Sequence, residues 1–220
     1  MTLMSGARRE KGILIFGASG HAKVVIDIVE KAGLFSVCTL ADDDPALRGA
    51  WVYDYEVMGG KSDLLANRIK LTQTCSIVAI GNNRIRTELA AWLVSNGSNL
   101  CVAIFHPSAQ VARGVSVGDG SVVMAGVVIN SDTRIGRNVI VNTGAIIDHD
   151  CLIGDAAHVA PGATLCGGIE VGERTLIGAG AVLHPNIRIG KDVTIGAGAT
   201  VLSNVPDGLT VVGTPAKQVR

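Results

Sequence analysis

The chain has no surplus of charge of either sign: nineteen Lys and Arg balance nineteen Asp and Glu over 220 residues. No Lys/Arg run is long enough to make a phosphate-backbone footprint, which argues against nucleic acid as a partner. Paired cysteines are also lacking. The five present (Cys38, Cys75, Cys101, Cys151 and Cys166) are odd in number, widely spaced and without a CxxC. That pattern argues against a disulfide framework and a structural zinc site, and it fits a reducing cytoplasm. No apolar run reaches membrane-spanning length, and the N-terminal MTLMSGARREKG lacks the apolar core of a signal peptide. The expectation is a soluble, cytoplasmic protein of one large domain or two small ones.

Two grammars follow one another along the chain. Residues 13 to 105 alternate short apolar runs with helix-like segments. ILIF (Ile13 to Phe16) reads as a buried strand, followed by GASGH and the helical pattern AKVVIDIVEKAG, with Val24, Val25, Ile28 and Val29 on one face and Gly33 as its stop. VCTLA and CSIVAIG read as further strands, and Asn82 or Asn83 caps a helix RIRTELAAWLVSNG that Gly97 ends. This alternation predicts a small Rossmann-like parallel sheet in an α/β N-terminal domain spanning residues 1–104.

From Val111 to Pro206 the chain is an uninterrupted six-residue repeat, sixteen hexads with Val, Ile or Leu at every first position. The fifth position holds only Val, Ile, Ala, Ser, Thr or Cys. Period six fits neither a helix face nor a flat strand. It suits a chain that turns a corner every six residues, so that three hexads close a triangular coil and residues 18 apart stack. Aliphatic first positions then fill the interior, with Gly, Asn and Asp at the corners. This is the hexapeptide signature of a parallel β-helix, assigned here to a domain over residues 105–220.

Chemistry must come from residues that the scaffold does not need. His149 and His158 are nine residues apart, half a circuit of an 18-residue coil, which places them on opposite sides of their own prism. If they cooperate they do so across a subunit boundary, and three sides suggest a homotrimer. His149 lies within Asp148-His149-Asp150, where a carboxylate can orient an imidazole and stabilise its cation, as a general base requires. A solvated corner is the bland alternative. His158 serves equally well as a packing residue between coils. Cys151 and Cys166 are conceivable nucleophiles, but Cys151 occupies a restricted fifth position, which points to packing. His106 and His184, each followed by Pro, read as corner residues.

The four segments GASGHAKVV, AIGNNRIR, NTGAIIDHDCLIGDAAHVAPGA and VVGTPAK, in this order across nearly the whole chain, resemble the nucleotide-linked amino-sugar N-acetyltransferases. These form the UDP-N-acetylbacillosamine N-acetyltransferase and sialic acid O-acetyltransferase-like family. The resemblance implies a left-handed β-helix, although right-handed crossovers are the general rule. It makes His149 the catalytic base, supported by an adjacent acid that is often Glu; here it is Asp150, one methylene shorter, so its reach is open to test. It places His158 against acetyl-CoA and Asn142 near the sugar. The tetrahedral oxyanion then needs a donor, for which the Gly167 N–H and the His158 side chain are candidates.

GASGH has the strand, glycine-turn and helix geometry that accommodates phosphates, although Ser19 stands where a full GxGxxG has glycine. Under the resemblance this domain binds the nucleotide-sugar: Gly17, Ser19, Gly20 and His21 near phosphates and sugar, Asp42 and Asp43 at the nucleoside, and Asn82, Asn83 and Arg86 along the same cleft, with Arg86 pairing a phosphate or remaining an exposed helix charge. Gly178, Ala179, Pro215 and Ala216 are expected along acetyl-CoA, with Lys217 at its phosphates or in solvent. The implied reaction is N-acetylation of a nucleotide-linked 4-amino-4,6-dideoxy sugar, UDP-linked in the first reading, with GDP- or dTDP-linked sugars and sialic acid O-acetylation as alternatives. Acetyl-CoA is the co-substrate, and no metal and no membrane insertion are expected. A non-catalytic hexapeptide scaffold is the alternative from another class.

Overall fold

The computed structural model describes residues 11–219; the N-terminal stretch read above for a signal peptide lies almost wholly outside them. The N-terminal domain is a four-stranded parallel sheet in the order β2-β1-β5-β6, built from β1 (Lys11–Phe16), β2 (Phe35–Ala41), β5 (Cys75–Val78) and β6 (Asn99–Leu100). Its helices are α1 (Gly20–Ala32), α2 (Lys61–Ala66), α3 (Arg68–Gln73) and α4 (Asn83–Ser95), and β3 (Trp51–Val52) with β4 (Tyr55–Glu56) forms a small hairpin. Gly33 ends α1 in the left-handed conformation, φ 62°, its N–H on the Val29 carbonyl. The buried face of α1 is Ala22, Val25, Ile26, Ile28 and Val29; Val24, expected inside, faces solvent and Ile26 takes its place.

The remainder is a triangular prism of two-residue strands. Parallel strands stack at 18-residue intervals on three faces, for example Ile140 on His158 on the first face, Ile146 on Thr164 on the second and Leu152 on Glu170 on the third. First-position side chains from Val123 to Val201 are buried, as are the fifth-position residues from Ser121 to Ala199. Where a fifth position is polar its hydroxyl is bonded inside the wall: Thr133 Oγ1 donates to the Asp148 carbonyl at 2.7 Å and accepts from the Cys151 N–H at 3.1 Å.

The hexad rule needs amendment at both ends. The prism starts one step earlier than the aliphatic repeat, with strand Ile104–Phe105 pairing onto Val122–Val123 and the aromatic Phe105 at a first position. Near the C-terminus Ile189 bridges to Val205 and Ile195 pairs with Val211, an interval of 16 instead of 18. Val205 is therefore not the fifth residue of a sixteenth hexad. It fills the next interior position after a corner two residues short.

A regularity sits at the fourth position of each hexad. From Gly114 to Gly198 these residues have positive φ, which lets the chain turn each corner. Gly, Asn and Asp occupy nearly all of them, as the steric cost of the left-handed region predicts. Ala156 (φ 55°) and Arg174 (φ 57°) are the exceptions. One hydrophobic core runs from α1 into the prism, joining Ala22, Val25 and Ile26 to Ile104 and Val122.

Candidate active site

His149 stands at the corner between the second and third faces, after strand Ile146–Ile147 and before Leu152–Ile153. Asp150 is the left-handed residue of that corner, φ 56°. Asp148 braces it: its Oδ1 accepts the His149 N–H at 2.9 Å and the Asn130 amide at 2.8 Å, Asn130 lying one coil back. Asp150 Oδ2 is 2.8 Å from His149 Nδ1, so the shorter acid reaches the ring. The Nδ1–H tautomer assigned by this contact leaves Nε2 unprotonated, with a lone pair to accept a proton. The Asp150 hydrogen bond, then the Asp148 charge, raises the affinity of this imidazole for a proton above the ordinary histidine value. One coil on lies Gly167, where a Cβ would come within 2.7 Å of His149 Cε1 and Nε2. Any larger residue would push the ring from its seat.

His158 opens a strand of the first face, opposite the His149 corner. Its Nε2 is 3.1 Å from Asn142 Nδ2. Asn142 Oδ1 takes the Thr143 N–H at 2.8 Å, so the amide turns its NH₂ to the ring and Nε2 is the acceptor. The His158 ring also engages the Gly81 main chain, in the sense that favours its cation. Against that, burial first, then the charges of Arg86 and His21, holds the imidazole down to about 4. His21 is lowered to about 4 as well, by burial and then Arg86, and its buried Nε2 has no hydrogen-bond partner. Both rings are neutral at pH 7. With Nε2 accepting from Asn142, His158 donates to an oxyanion only after a tautomer change, and the Gly167 N–H is the candidate donor that needs none.

In the N-terminal turn Gly17 has φ 115°, its N–H on the Ala41 carbonyl at 2.7 Å, and a Cβ would meet the Ala79 carbonyl oxygen at 2.6 Å. Close passage of β1 past the end of β5 requires glycine there. Asp42 holds the turn, Oδ2 accepting the Ala18 N–H at 2.8 Å and Oδ1 the Asp44 N–H at 2.9 Å. Asp43 takes the Lys61 N–H at 3.0 Å and pairs with its ammonium. Ser19 is the N-cap of α1 without using its side chain as a cap, and both it and Gly20 are exposed at the helix start. Asn82 caps α4 through its Oδ1.

Arg86, expected to line this cleft or lie exposed on its helix, is 1% exposed. All five of its N–H groups go to protein acceptors: Nε to Asn138 O, Nη1 to Ile80 O and Gly81 O, and Nη2 to Asn83 Oδ1 and Ala156 O. No donor remains for a phosphate. Asn83 is committed likewise, its Nδ2 donating to Arg174 O at 2.8 Å.

The residues expected along acetyl-CoA occupy different corners of one chain. Gly167 shares the second-to-third corner with His149, whereas Gly178 and Ala179 turn from the first face to the second, the corner that also carries Asn142. Pro215 and Ala216 follow on the C-terminal turn, Ala216 N–H on the Thr200 carbonyl at 2.8 Å. Lys217 is exposed in the last strand. Cys151 is buried with its thiol on the Cys166 carbonyl at 3.3 Å, and burial raises its pKa, which fits packing. His106 and His184 bond locally, to Ser108 Oγ and the Pro185 carbonyl. Among the described residues no group of three or more His, Cys, Asp or Glu side chains is placed to hold a metal, and no helix is long and apolar enough to cross a membrane. No sequence motif marks Asn130 and Asp148 as a bracing pair; their 18-residue spacing is the signal that finds them.

Residues 12–93 match the PglD N-terminal domain, residues 132–167 and 168–203 the bacterial transferase hexapeptide, and 97–131 the hexapeptide repeat of succinyl-transferase. The acetyltransferase domain of PglB from Neisseria gonorrhoeae FA1090 is 37% identical, with TM-score 0.86 over 95% of this chain and 100% of that one. PerB from Caulobacter crescentus, solved in complex with CoA and GDP-perosamine, is 41% identical, with TM-score 0.88 over 95% of this chain and 97% of that one. The UDP-N-acetylbacillosamine N-acetyltransferase of Bacillus subtilis (strain 168) is 34% identical over 116 residues, 52% of each chain. The match thus spans about half the length of that curated relative. A PglD-type parallel-sheet domain followed by hexapeptide repeats, matched along nearly the whole chain, defines a hexapeptide-repeat acyltransferase. Within that class, the chain belongs to the nucleotide-linked amino-sugar N-acetyltransferase family with a PglD-type N-terminal domain.

Proposed function

We propose that the chain transfers acetyl from acetyl-CoA directly to the 4-amino group of a nucleotide-linked 4-amino-4,6-dideoxy sugar. The observation that carries this reading is the His149 corner: an exposed imidazole with Nδ1 on Asp150 at 2.8 Å and a glycine against its Cε1 and Nε2. The amine nitrogen attacks the thioester carbon, forming the C–N bond, while His149 Nε2 takes the proton that nitrogen loses. The Gly167 N–H faces the oxyanion. When the C–S bond breaks, the imidazolium returns its proton to the leaving thiolate, so no acetyl-enzyme forms. GASGH, with Asp42 holding its turn, receives the nucleotide-sugar; UDP is the first reading. GDP is the second, favoured by the 41% identity to PerB.

The active unit is proposed to be a homotrimer. Half a circuit separates His149 from the His158 and Asn142 group, and the cofactor contacts fall on two corners of one chain. A neighbouring subunit reunites them. Exposed apolar Ile146 and Leu152 flank the His149 corner, as an interface there requires. Incubation with acetyl-CoA and a panel of UDP-, GDP- and dTDP-4-amino sugars, following CoA release, tests the chemistry, and absence of turnover across the panel overturns it. A monomeric mass by light scattering with full activity overturns the shared site.

A further inference from the structure

Three carbonyls stacked 18 residues apart line the corner between the third and first faces: those of Asn138, Ala156 and Arg174, each the left-handed fourth residue of its hexad. All three are gripped from the first turn of α4. Arg86 Nε bonds Asn138 O and its Nη2 bonds Ala156 O, each at 2.8 Å, and Asn83 Nδ2 bonds Arg174 O at 2.8 Å. Ala156 and Arg174 are the two corner residues that are neither Gly, Asn nor Asp, so α4 holds the positions where the backbone is least at ease. The same guanidinium takes Ile80 O at 3.0 Å and Gly81 O at 3.1 Å, and the His158 ring also engages the Gly81 main chain. One buried cation thus touches the carbonyl two residues before His158 in sequence and the N-terminal turn that meets its ring.

We infer that Arg86 is a positioning residue for acetyl transfer, locking the Ile80–Gly81 turn to the Ala156 corner so that His158 and Asn142 keep a fixed place beside the sugar-binding loop. The inference rests on the proposed function in taking His158 as the acetyl-CoA contact. Geometry separates this role from simple domain adhesion. The hydrophobic contact of α1 with Ile104 and Val122 already joins the domains, whereas Arg86 acts at the coil that carries His158. A lysine keeps the charge but cannot span acceptors on both domains with a planar fork.

Arg86→Lys, and Asn83→Ala as the milder variant should the first fold poorly, are to be measured beside His158→Asn and the double variants. Arg86→Lys is expected to weaken acetyl-CoA, read as KM in turnover and as Kd by calorimetry, about tenfold. Its kcat should stay within about threefold and the ascending limb of its pH profile should not move, because His149 lies half a circuit away. In the His158→Asn background the same change is expected to alter acetyl-CoA affinity less than twofold, the signature of acting through that ring. A lowered Tm with unchanged acetyl-CoA affinity, or an effect that simply adds to that of His158→Asn, overturns the inference. Calorimetry keeps the two claims apart: coupling between Arg86 and His158 in acetyl-CoA binding, without turnover of any amino sugar, sustains this inference and removes the proposed reaction. Wild-type protein that binds no acetyl-CoA removes both.

Discussion

His149 and His158 are the same residue in the same prism, yet their surroundings drive them in opposite directions. At the corner, two acids in an exposed turn raise the proton affinity of His149. On the first face, burial and the charges of Arg86 and His21 lower that of His158 to about 4. The first ring therefore holds a proton more readily than an ordinary histidine, whereas the second stays neutral in its hydrogen bonds near pH 7. The proposed acetyl transfer would use both kinds: His149 as a base that cycles its charge and His158 as a binding group that does not.

The most damaging way to break the contrast is to remove the exposed ring proposed as the base. His149→Ala is expected to fold and assemble normally and to lose about 10²- to 10⁴-fold in kcat, measured by CoA release. Gly167→Ala should come next, at roughly 10²-fold, because its Cβ would sit against the His149 ring and misplace Nε2. Asp150→Asn sharpens the comparison instead, with a kcat loss of about tenfold. Its hydrogen bond is the largest cause of the raised affinity, so the ascending limb of the pH profile should move to lower pH.

The buried pair gives the smallest effect on turnover and a distinct one on stability. His21 and His158 titrate at 6.5 when unperturbed and near 4 in the fold, so the unfolded chain binds their protons first. Stability is complete above about 6.5 and falls as the pH drops toward 4, by on the order of 3 kcal/mol for each ring. Urea midpoints between pH 7 and 4.5 should show that slope, and His158→Asn should flatten it. An unchanged slope in the variant would mean that the ring is not buried neutral.

Much of this contrast can be read from the sequence, and what cannot follows a pattern. The period of six exposes the faces, the stacking interval and the opposition of His149 to His158, because each depends on side-chain periodicity. Asp150 beside His149 is legible for the same local reason. The ends of the prism escape, since Phe105 satisfies an interior position with an aromatic residue and Val205 does so after a shortened corner. Arg86 escapes more completely. Its partners on the prism are main-chain carbonyls, which every residue possesses and no sequence pattern marks. The available clue is indirect: Ala156 and Arg174 stand where Gly, Asn or Asp would turn the corner at less cost.

That column of gripped carbonyls makes the prism a ruler whose graduations are coils. Helix α4 is attached at three consecutive marks, and His149 stands on the same stretch of the scale. Removing one 18-residue coil after the third mark would shorten the ruler by about 4.8 Å and leave every distance between the Gly17–Gly20 turn and His149 intact. Removing one between the marks would give an equally regular prism on which Asn83 and Arg86 grip the wrong coils. The C-terminal coils can therefore be lengthened or shortened without moving the His149 corner, whereas the interval from Asn138 to Arg174 is fixed by the grip of α4.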